Sequence, residues 1–133
     1  MNSILVTGGC GFIGSNFIRV LLRDSATSLS KNGFNRIVNL DMLTYAGNLS
    51  NLSEFESSEM YRFVHGNILD RELVELLLFE NSVSTIVHFA AESHVDRSID
   101  GPEPFVQTNV VGTLRLLQAA KNHWEQLQNE EKS

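Results

Sequence analysis

The sequence is short of cysteine, of basic residues and of long apolar runs, and each shortage excludes a class of protein. Cys10 is the only cysteine among 133 residues, which excludes an internal disulfide and fits a reducing compartment. No run approaches the roughly 18 apolar residues of a membrane span, and Met1–Val6 is too short for a signal peptide. We therefore expect a cytoplasmic protein that does not enter a membrane.

Acidic residues outnumber basic ones, and the imbalance lies in the second part of the chain. The 16 Asp and Glu against 10 Lys and Arg give a formal net charge of −6. Residues 1–53 carry a net +2 and the remainder carries −8. An acidic chain without a basic stripe argues against nucleic acid or an anionic membrane as a partner. The 42% of hydrophobic residues and the length are those of one globular domain.

Short apolar runs alternate with segments of helical spacing along the chain. Strands are predicted at 3–7, 36–40, 61–65 and 84–89, and helices at 12–23, after the N-cap Asp70, and from about 103 to 128. Residues 25–35 are predicted as a loop, and 44–59 as a loop with a short helical turn. This alternation indicates an α/β fold of Rossmann type. We expect a parallel sheet of four strands in the order 3-2-1-4 with flanking helices, and the fourth strand on an edge.

The strongest local motif is a glycine-rich turn between the first strand and the first helix. Residues 7–14 read Thr-Gly-Gly-Cys-Gly-Phe-Ile-Gly and match the spacing of a dinucleotide-binding loop. Gly8 or Gly9 permits the tight turn, Gly11 lets the backbone approach a pyrophosphate, and Gly14 lets the helix pack closely. The anion would then meet the positive end of the helix that begins near Phe12. A glycine turn alone is common, so the flanking strand and helix are what favour the ligand.

An acidic residue ends the second strand, where a dinucleotide would place its adenosine ribose. Asp41 follows Gly14 by 27 positions, and the loop at 25–35 accounts for the long spacing. Its charge would repel a 2′-phosphate about 4 Å away by roughly 4 kcal/mol at a dielectric of 20. Even about half of that energy corresponds to more than a tenfold preference for NAD over NADP. Met42 and Leu43 follow it rather than a basic residue. We therefore predict NAD rather than NADP, with a turn aspartate as the alternative.

The remaining reactive side chains do not form a recognisable metal or nucleophile pattern. The histidines at 65, 88, 94 and 123 are scattered, so no metal site is predicted. Cys10 has no base nearby in sequence and is interpreted as a small packing residue. The polar segment after the fourth strand places Glu92, Ser93 and His94 at the expected ligand edge. Composition alone does not distinguish it from a solvated loop.

Four segments carry a resemblance to the extended short-chain dehydrogenase/reductases, the NAD-dependent epimerase/dehydratase family. They are residues 7–16, 43–49, 90–99 and 108–113, and the likeness runs from Ile4 to about Trp124. The Leu-Thr-Tyr-Ala-Gly-Asn and Ala-Ala-Glu-Ser-His-Val-Asp-Arg-Ser segments resemble, more narrowly, the dTDP-glucose 4,6-dehydratases.

The resemblance implies a role for particular residues. NAD would contact Gly8, Gly11, Phe12, Ile13, Gly14, Asp41, Met42, Leu43, Thr44, Asn67, Ile68, Phe89, Ala90, Ala91, Glu92, Ser93 and Thr108. In that set Asn67 and Ile68 would touch the adenine, residues 89–93 the nicotinamide side, and Ser93 with His94 the sugar. Asn109 would shape the helix that carries the family's proton-relay water. Two positions depart from the family pattern, because Asn67 replaces a common Asp and Met42 a common Lys.

The resemblance also implies a reaction and what it requires. The dTDP-glucose 4,6-dehydratases convert dTDP-glucose to dTDP-4-keto-6-deoxyglucose. Hydride passes from C4 of the sugar to NAD, water leaves across C5–C6, and hydride returns to C6. The chemistry needs a Tyr-x-x-x-Lys pair and a Thr-Asp-Glu segment, and neither is in the 133 residues. We therefore expect residues 1–133 to be the NAD-binding portion, without the catalytic region and substrate domain, and inactive alone. The full-length family form is expected to be a homodimer.

Two other functions remain open at this point. One is a related nucleotide-sugar epimerase or dehydratase. The other is a truncated NAD-binding module without catalysis.

Overall fold

A single parallel sheet organises the protein, as seen in a computed structural model that describes residues 2–23, 26–43, 49–90, 103 and 106–132. Its strands are β1 Ser3–Thr7, β2 Arg36–Asp41, β3 Tyr61–His65 and β4 Val83–His88. All neighbouring strands pair in parallel, and their order is β3-β2-β1-β4. The predicted fold class and strand order are confirmed, and β4 lies on an edge of the described sheet.

Helices connect the strands and pack on both faces of the sheet. They are α1 Phe12–Arg23, α2 Ala26–Lys31, a 3-10 helix at Leu49–Phe55, α3 Arg71–Glu80, a π-helical segment at Gln107–Gly112, and α4 Thr113–Lys132. The predicted N-cap is confirmed, because a carboxylate oxygen of Asp70 accepts a hydrogen bond from Leu73 N at 3.2 Å. Within the described residues, none of the helices combines the length and the apolar character needed to cross a membrane.

Several elements differ from those predicted, and among them β2 ends one residue later than predicted, at Asp41. The loop prediction for residues 25–35 is wrong for Ala26–Lys31, which form α2 around the fully buried Leu29. This tertiary anchor overrides the Ser- and Asn-rich composition. Strand β4 begins and ends one residue earlier than predicted. The last helix passes through the π-helical segment before it becomes α-helical, a distinction that apolar periodicity does not reveal.

The core consists of two apolar layers, one on each face of the sheet, because alternate strand side chains point to opposite faces. On one face Leu5 and Val38 pack with Leu77 of α3 and Leu116 of α4. The layer on the other face comprises the buried side chains Ile4, Val6, Ile18, Leu29, Ile37, Leu52, Phe55 and Tyr61. Each fully buried aliphatic side chain contributes about 1.5–3 kcal/mol, so these layers hold the strands in register.

Parallel pairing brings the carboxyl ends of all four strands to one edge of the sheet. Thr7 pairs with Leu40 on one side and with His88 on the other, and Asp41 pairs with His65. Ligands of open α/β sheets bind at this edge.

Candidate functional site

The glycine turn begins directly after β1 and crosses over the end of β4. Gly8 has a φ of +71°, and its N–H donates to Leu40 O at 2.9 Å. A Cβ at this position would lie 2.7 Å from Ala90 N. Positive φ and this close approach both require glycine, so the predicted tight turn lies at Gly8.

The start of α1 packs against that turn and presents its amino end at the sheet edge. A Cβ on Gly14 would overlap Gly8 O, so the close packing predicted for Gly14 is present. The first helical hydrogen bond runs from Ser15 N to Gly11 O at 2.9 Å. The N–H groups before it have no intrahelical acceptor, and they form the positive end of the helix dipole. Phe12 is 82% exposed and Ile13 is 67% exposed beside them.

The buried side chain of Asn39, in the middle of β2, binds the glycine turn on the side that faces the sheet. Its Oδ1 accepts from Gly9 N at 3.0 Å, and its Nδ2 donates to Tyr61 Oη at 3.0 Å and to Cys10 Sγ at 3.4 Å. The side chain is fully buried, and a Cβ on Gly9 would overlap its Oδ1. Our sequence reasoning missed this residue. The available signal was an amide side chain inside an otherwise apolar strand, because such a group must find partners.

Asp41 is fixed at the end of β2 by two backbone donors. Oδ2 accepts from Cys10 N at 2.8 Å, and Oδ1 accepts from Leu43 N at 2.7 Å. Leu43 itself has a φ of +56°, in the left-handed region. The turn role and the ligand role are therefore compatible, because a carboxylate has about four acceptor positions and these bonds use two. Asp41 is 7% exposed, so its orientation is set before any ligand arrives.

Cys10 is a packing residue, as interpreted from the sequence. It is fully buried between Asn39 and Asp41. Burial, followed by the negative charge of Asp41, raises the pKa of its thiol to about 11. Burial likewise raises the pKa of Tyr61 to about 12, and the hydroxyl accepts a hydrogen bond from Asn39. Both groups are therefore neutral near pH 7.

The 3-10 helix fastens the outer side of the turn. Asn51 Nδ2 donates to Cys10 O at 3.0 Å, and Arg19 of α1 donates to Asn51 O at 2.5 Å. Arg23 forms an ion pair with Glu54 at 2.9 Å. These contacts were not predicted, because they join residues more than thirty positions apart and no short motif records them.

The other predicted contact residues lie around the same edge. Asn67 Oδ1 accepts from Leu69 N at 3.0 Å, which leaves one acceptor position on that oxygen. Ile68 is buried in the core, so its backbone rather than its side chain is available to a ligand. Met42 is exposed, and Thr108 is half-buried in the π-helical segment.

Two predicted residues close the site on the β4 side. Phe89 packs against Phe17 with ring centroids 5.4 Å apart and ring planes tilted by 56°, and Ala90 N donates to Thr7 Oγ1 at 3.3 Å. The predicted residues Thr44, Ala91, Glu92, Ser93 and His94 lie outside the described residues.

The described site therefore combines two complementary features at one edge. An uncrowded helix amino end favours a phosphate, and a pre-oriented carboxylate beside it favours a pair of hydroxyl groups. This pairing fits a nucleotide with a pyrophosphate and an unmodified ribose. In the described residues no group of three His, Cys, Asp or Glu side chains is placed to hold a metal ion.

Comparison with known proteins finds a matching family and dehydratase relatives, and UDP-glucose 4-epimerases at lower identity among the solved structures. The sequence profile of the GDP-mannose 4,6 dehydratase family matches residues 5–132. A dTDP-glucose 4,6-dehydratase of Shigella flexneri is 46% identical over 97% of the chain and 34% of its own length. The low-salt glycan biosynthesis protein Agl12 of Haloferax volcanii is 56% identical over 88% of the chain and 34% of its own length.

A solved structure extends the likeness to three dimensions. DesIV, a dTDP-glucose 4,6-dehydratase from Streptomyces venezuelae crystallised with NAD bound, is 50% identical and superposes with a TM-score of 0.82. The match covers 91% of this chain and 36% of DesIV. The chain thus spans about a third of the length of the curated relatives that it matches.

Proposed function

The chain belongs to the GDP-mannose 4,6 dehydratase family, and from this premise we propose that it is the NAD-binding part of a dTDP-glucose 4,6-dehydratase. The observation that carries the proposal is the meeting of the glycine turn, the amino end of α1 and Asp41 at one sheet edge. Relatives with NAD and with dTDP-glucose dehydratase activity in their names support it.

The described residues would hold the cofactor from its pyrophosphate outward. The N–H groups at the start of α1 would donate to the pyrophosphate, while Phe12 and Ile13 lie against it. Asp41 would accept from both hydroxyls of the adenosine ribose. Asn67 and the Ile68 backbone would contact the adenine.

The nicotinamide side of the proposed site is formed by residues that follow β4 and by the π-helical segment. Phe89, Ala90 and Thr108 are described there. Ala91, Glu92, Ser93 and His94, the last two toward the sugar, complete the proposal from the sequence. Bound NAD would supply reversible hydride acceptance, and these residues would orient the sugar toward it.

We expect the 133 residues to bind NAD without completing the reaction. Its two tyrosines, at 45 and 61, are not followed four residues later by lysine. Tyr61 is buried in the core and hydrogen-bonded to Asn39, and burial raises its pKa to about 12. A product with one water less than dTDP-glucose, detected by mass spectrometry after incubation with NAD, would contradict this expectation.

Two alternatives belong to the same proposal as outcomes of its test. A related nucleotide-sugar epimerase or dehydratase would share the cofactor site, and the segment at 94–98 is what favours dTDP-glucose. A binding module without catalysis would bind NAD and form no product.

The proposal includes a cytoplasmic location and, for a full-length form, a homodimer. The single buried cysteine supports the location. The homodimer is supported by exposed apolar side chains on one helical face, which a partner subunit would cover. They are Val110, Leu114 and Leu117.

A chimera tests this function most sharply. This chain would replace the matching amino-terminal third of DesIV, and the product would be assayed with dTDP-glucose, UDP-glucose and GDP-mannose. We expect 4-keto-6-deoxy sugar from dTDP-glucose alone, and the matched Asp41→Ala chimera should lose activity through weaker NAD binding. A folded chimera that binds NAD and acts on a nucleotide sugar that DesIV itself rejects would favour the first alternative, because the DesIV portion is the same in both proteins. One that binds NAD and forms no product would favour the second.

A further inference from the structure

The imidazole of His88 joins the ends of two strands to the π-helical segment. His88 is the last residue of β4, and its Nδ1 lies 2.6 Å from Thr7 Oγ1 at the end of β1. On the other side of the ring, Nε2 lies 3.2 Å from Thr113 Oγ1, at the first residue of α4. The ring is therefore held at both nitrogens.

The neighbouring bonds assign a direction to each contact of the ring. The hydroxyl of Thr113 donates to Asn109 O at 2.9 Å, so its oxygen accepts from His88 Nε2–H. Nδ1 is then the acceptor of the Thr7 hydroxyl, whose oxygen accepts from Ala90 N. A neutral imidazole with its proton on Nε2 satisfies every bond in the chain. Burial lowers the pKa of His88, which favours the neutral ring.

This chain of hydrogen bonds reaches the part of the site that carries Thr108. Asn109 lies within the π-helical segment Gln107–Gly112, and Thr113 follows it. At the end of the segment, Gly112 contacts Ile68 so closely that a Cβ would lie 2.6 Å from Ile68 Cδ1. The end of the segment is thus held by a polar contact through Thr113 to the strand ends and by an apolar contact through Gly112 to the core.

We propose that His88, with its proton on Nε2, is a positioning residue that fixes the π-helical segment over the strand ends on the nicotinamide side of the site. The assignment of that side rests on the proposed function. The adenosine side, at Asp41, is held by separate contacts to Cys10 and Leu43. Loss of the hydrogen bonds through His88 should therefore weaken binding at the nicotinamide half of the site more than at the adenosine half.

A matched pair of variants at Thr113 separates this role from general stability. Thr113→Val removes the hydroxyl at nearly constant shape, whereas Thr113→Ser retains it. In titrations of the full chain, we expect Thr113→Val to weaken NAD about fivefold, the effect of one hydrogen bond, and ADP less than twofold. Thr113→Ser should restore NAD binding. Equal losses for NAD and ADP, or equal behaviour of the two variants, would overturn the proposal.

A spectroscopic measurement tests the same proposal without a ligand. In the ¹⁵N-labelled chain at pH 7, His88 should show a protonated Nε2 and an unprotonated Nδ1. Thr113→Val should raise the amide hydrogen exchange of residues 107–112, and Thr113→Ser should not. The opposite tautomer, or exchange that does not change, would refute the role of His88. If the wild-type chain bound neither nucleotide, the proposed function would fail, and this measurement would still decide whether His88 fixes the segment.

Discussion

Two polar side chains buried in β2 set the shape of the glycine turn. Asn39 binds the N–H of Gly9 and Asp41 binds the N–H of Cys10, so consecutive backbone donors are held from below. Buried donors without acceptors cost about 1–3 kcal/mol each, which makes these contacts essential to the turn. The next N–H groups along the chain are thereby directed to the sheet edge, where a phosphate would bind.

We expect Asn39→Leu to lower the free energy of unfolding by about 1–3 kcal/mol, because Gly9 N–H loses its acceptor. NAD binding should weaken with it. Urea unfolding and titration with NAD measure the two effects. The control is Tyr61→Phe, which removes only the hydroxyl partner of Asn39 and should cost less. Wild-type stability in Asn39→Leu would show that the turn does not depend on this amide.

The thiol of Cys10 should be inert in the folded protein. With a pKa of about 11 and full burial, its thiolate fraction at pH 8 is far below that of an unfolded chain. We expect iodoacetamide to alkylate the folded chain at least about a hundredfold more slowly than the chain in urea. Comparable rates in the two states would mean that the glycine turn opens readily.

These residues also mark how far the site could be predicted from the sequence. Gly8 and Gly14 were predictable because positive φ and close packing restrict the residue type to glycine. Asp41 was predictable because it is an acidic residue at the end of the second apolar strand, where a dinucleotide would place its ribose. Asn39 and His88 were not, since their partners come together only through the folded sheet.

At the scale of elements, the caps and anchors decide where helices begin. Asp70 caps α3, whose apolar side chains Val74, Leu77 and Leu78 are buried. The cap was predictable because an aspartate, a common N-cap residue, directly precedes an apolar helical pattern. Helix α2 was not, because its fixed point is the burial of Leu29 rather than a local signal. The π-helical segment was also missed, because its apolar residues follow the same spacing as those of an α-helix.

Asp70→Ala should lower the free energy of unfolding by about 1 kcal/mol, because the N–H of Leu73 loses its acceptor. Asp70→Asn is the matched control, since asparagine caps helices about as well. Urea unfolding monitored by circular dichroism measures both. Equal losses in the two variants would show that charge, rather than the cap hydrogen bond, stabilises α3.

At the scale of the whole molecule, strand order was predictable because right-handed crossovers leave few arrangements for alternating strands and helices. The pH dependence of the free energy of unfolding was not predictable from the sequence, because it depends on which histidine is buried. Burial lowers the pKa of His88 below its unfolded value, so the unfolded chain binds more protons as the pH falls through about 6.5. Folding should therefore lose stability in that direction.

We expect the free energy of unfolding of the wild-type chain to fall from pH 7 to pH 5.5 more steeply than that of His88→Gln, which has no group to titrate there. Urea titrations at a series of pH values measure the difference between the two proteins. A difference that stays constant with pH would show that His88 has the same pKa in both states.

The central claim is that a glycine turn, a helix amino end and Asp41 together form an NAD site. Calorimetric titration of the 133-residue chain with NAD and with NADP tests it most directly. The account predicts saturable binding of NAD and at least about tenfold weaker binding of NADP, because Asp41 repels a 2′-phosphate. Absence of NAD binding at millimolar concentration, or equal affinity for the two nucleotides, would contradict it.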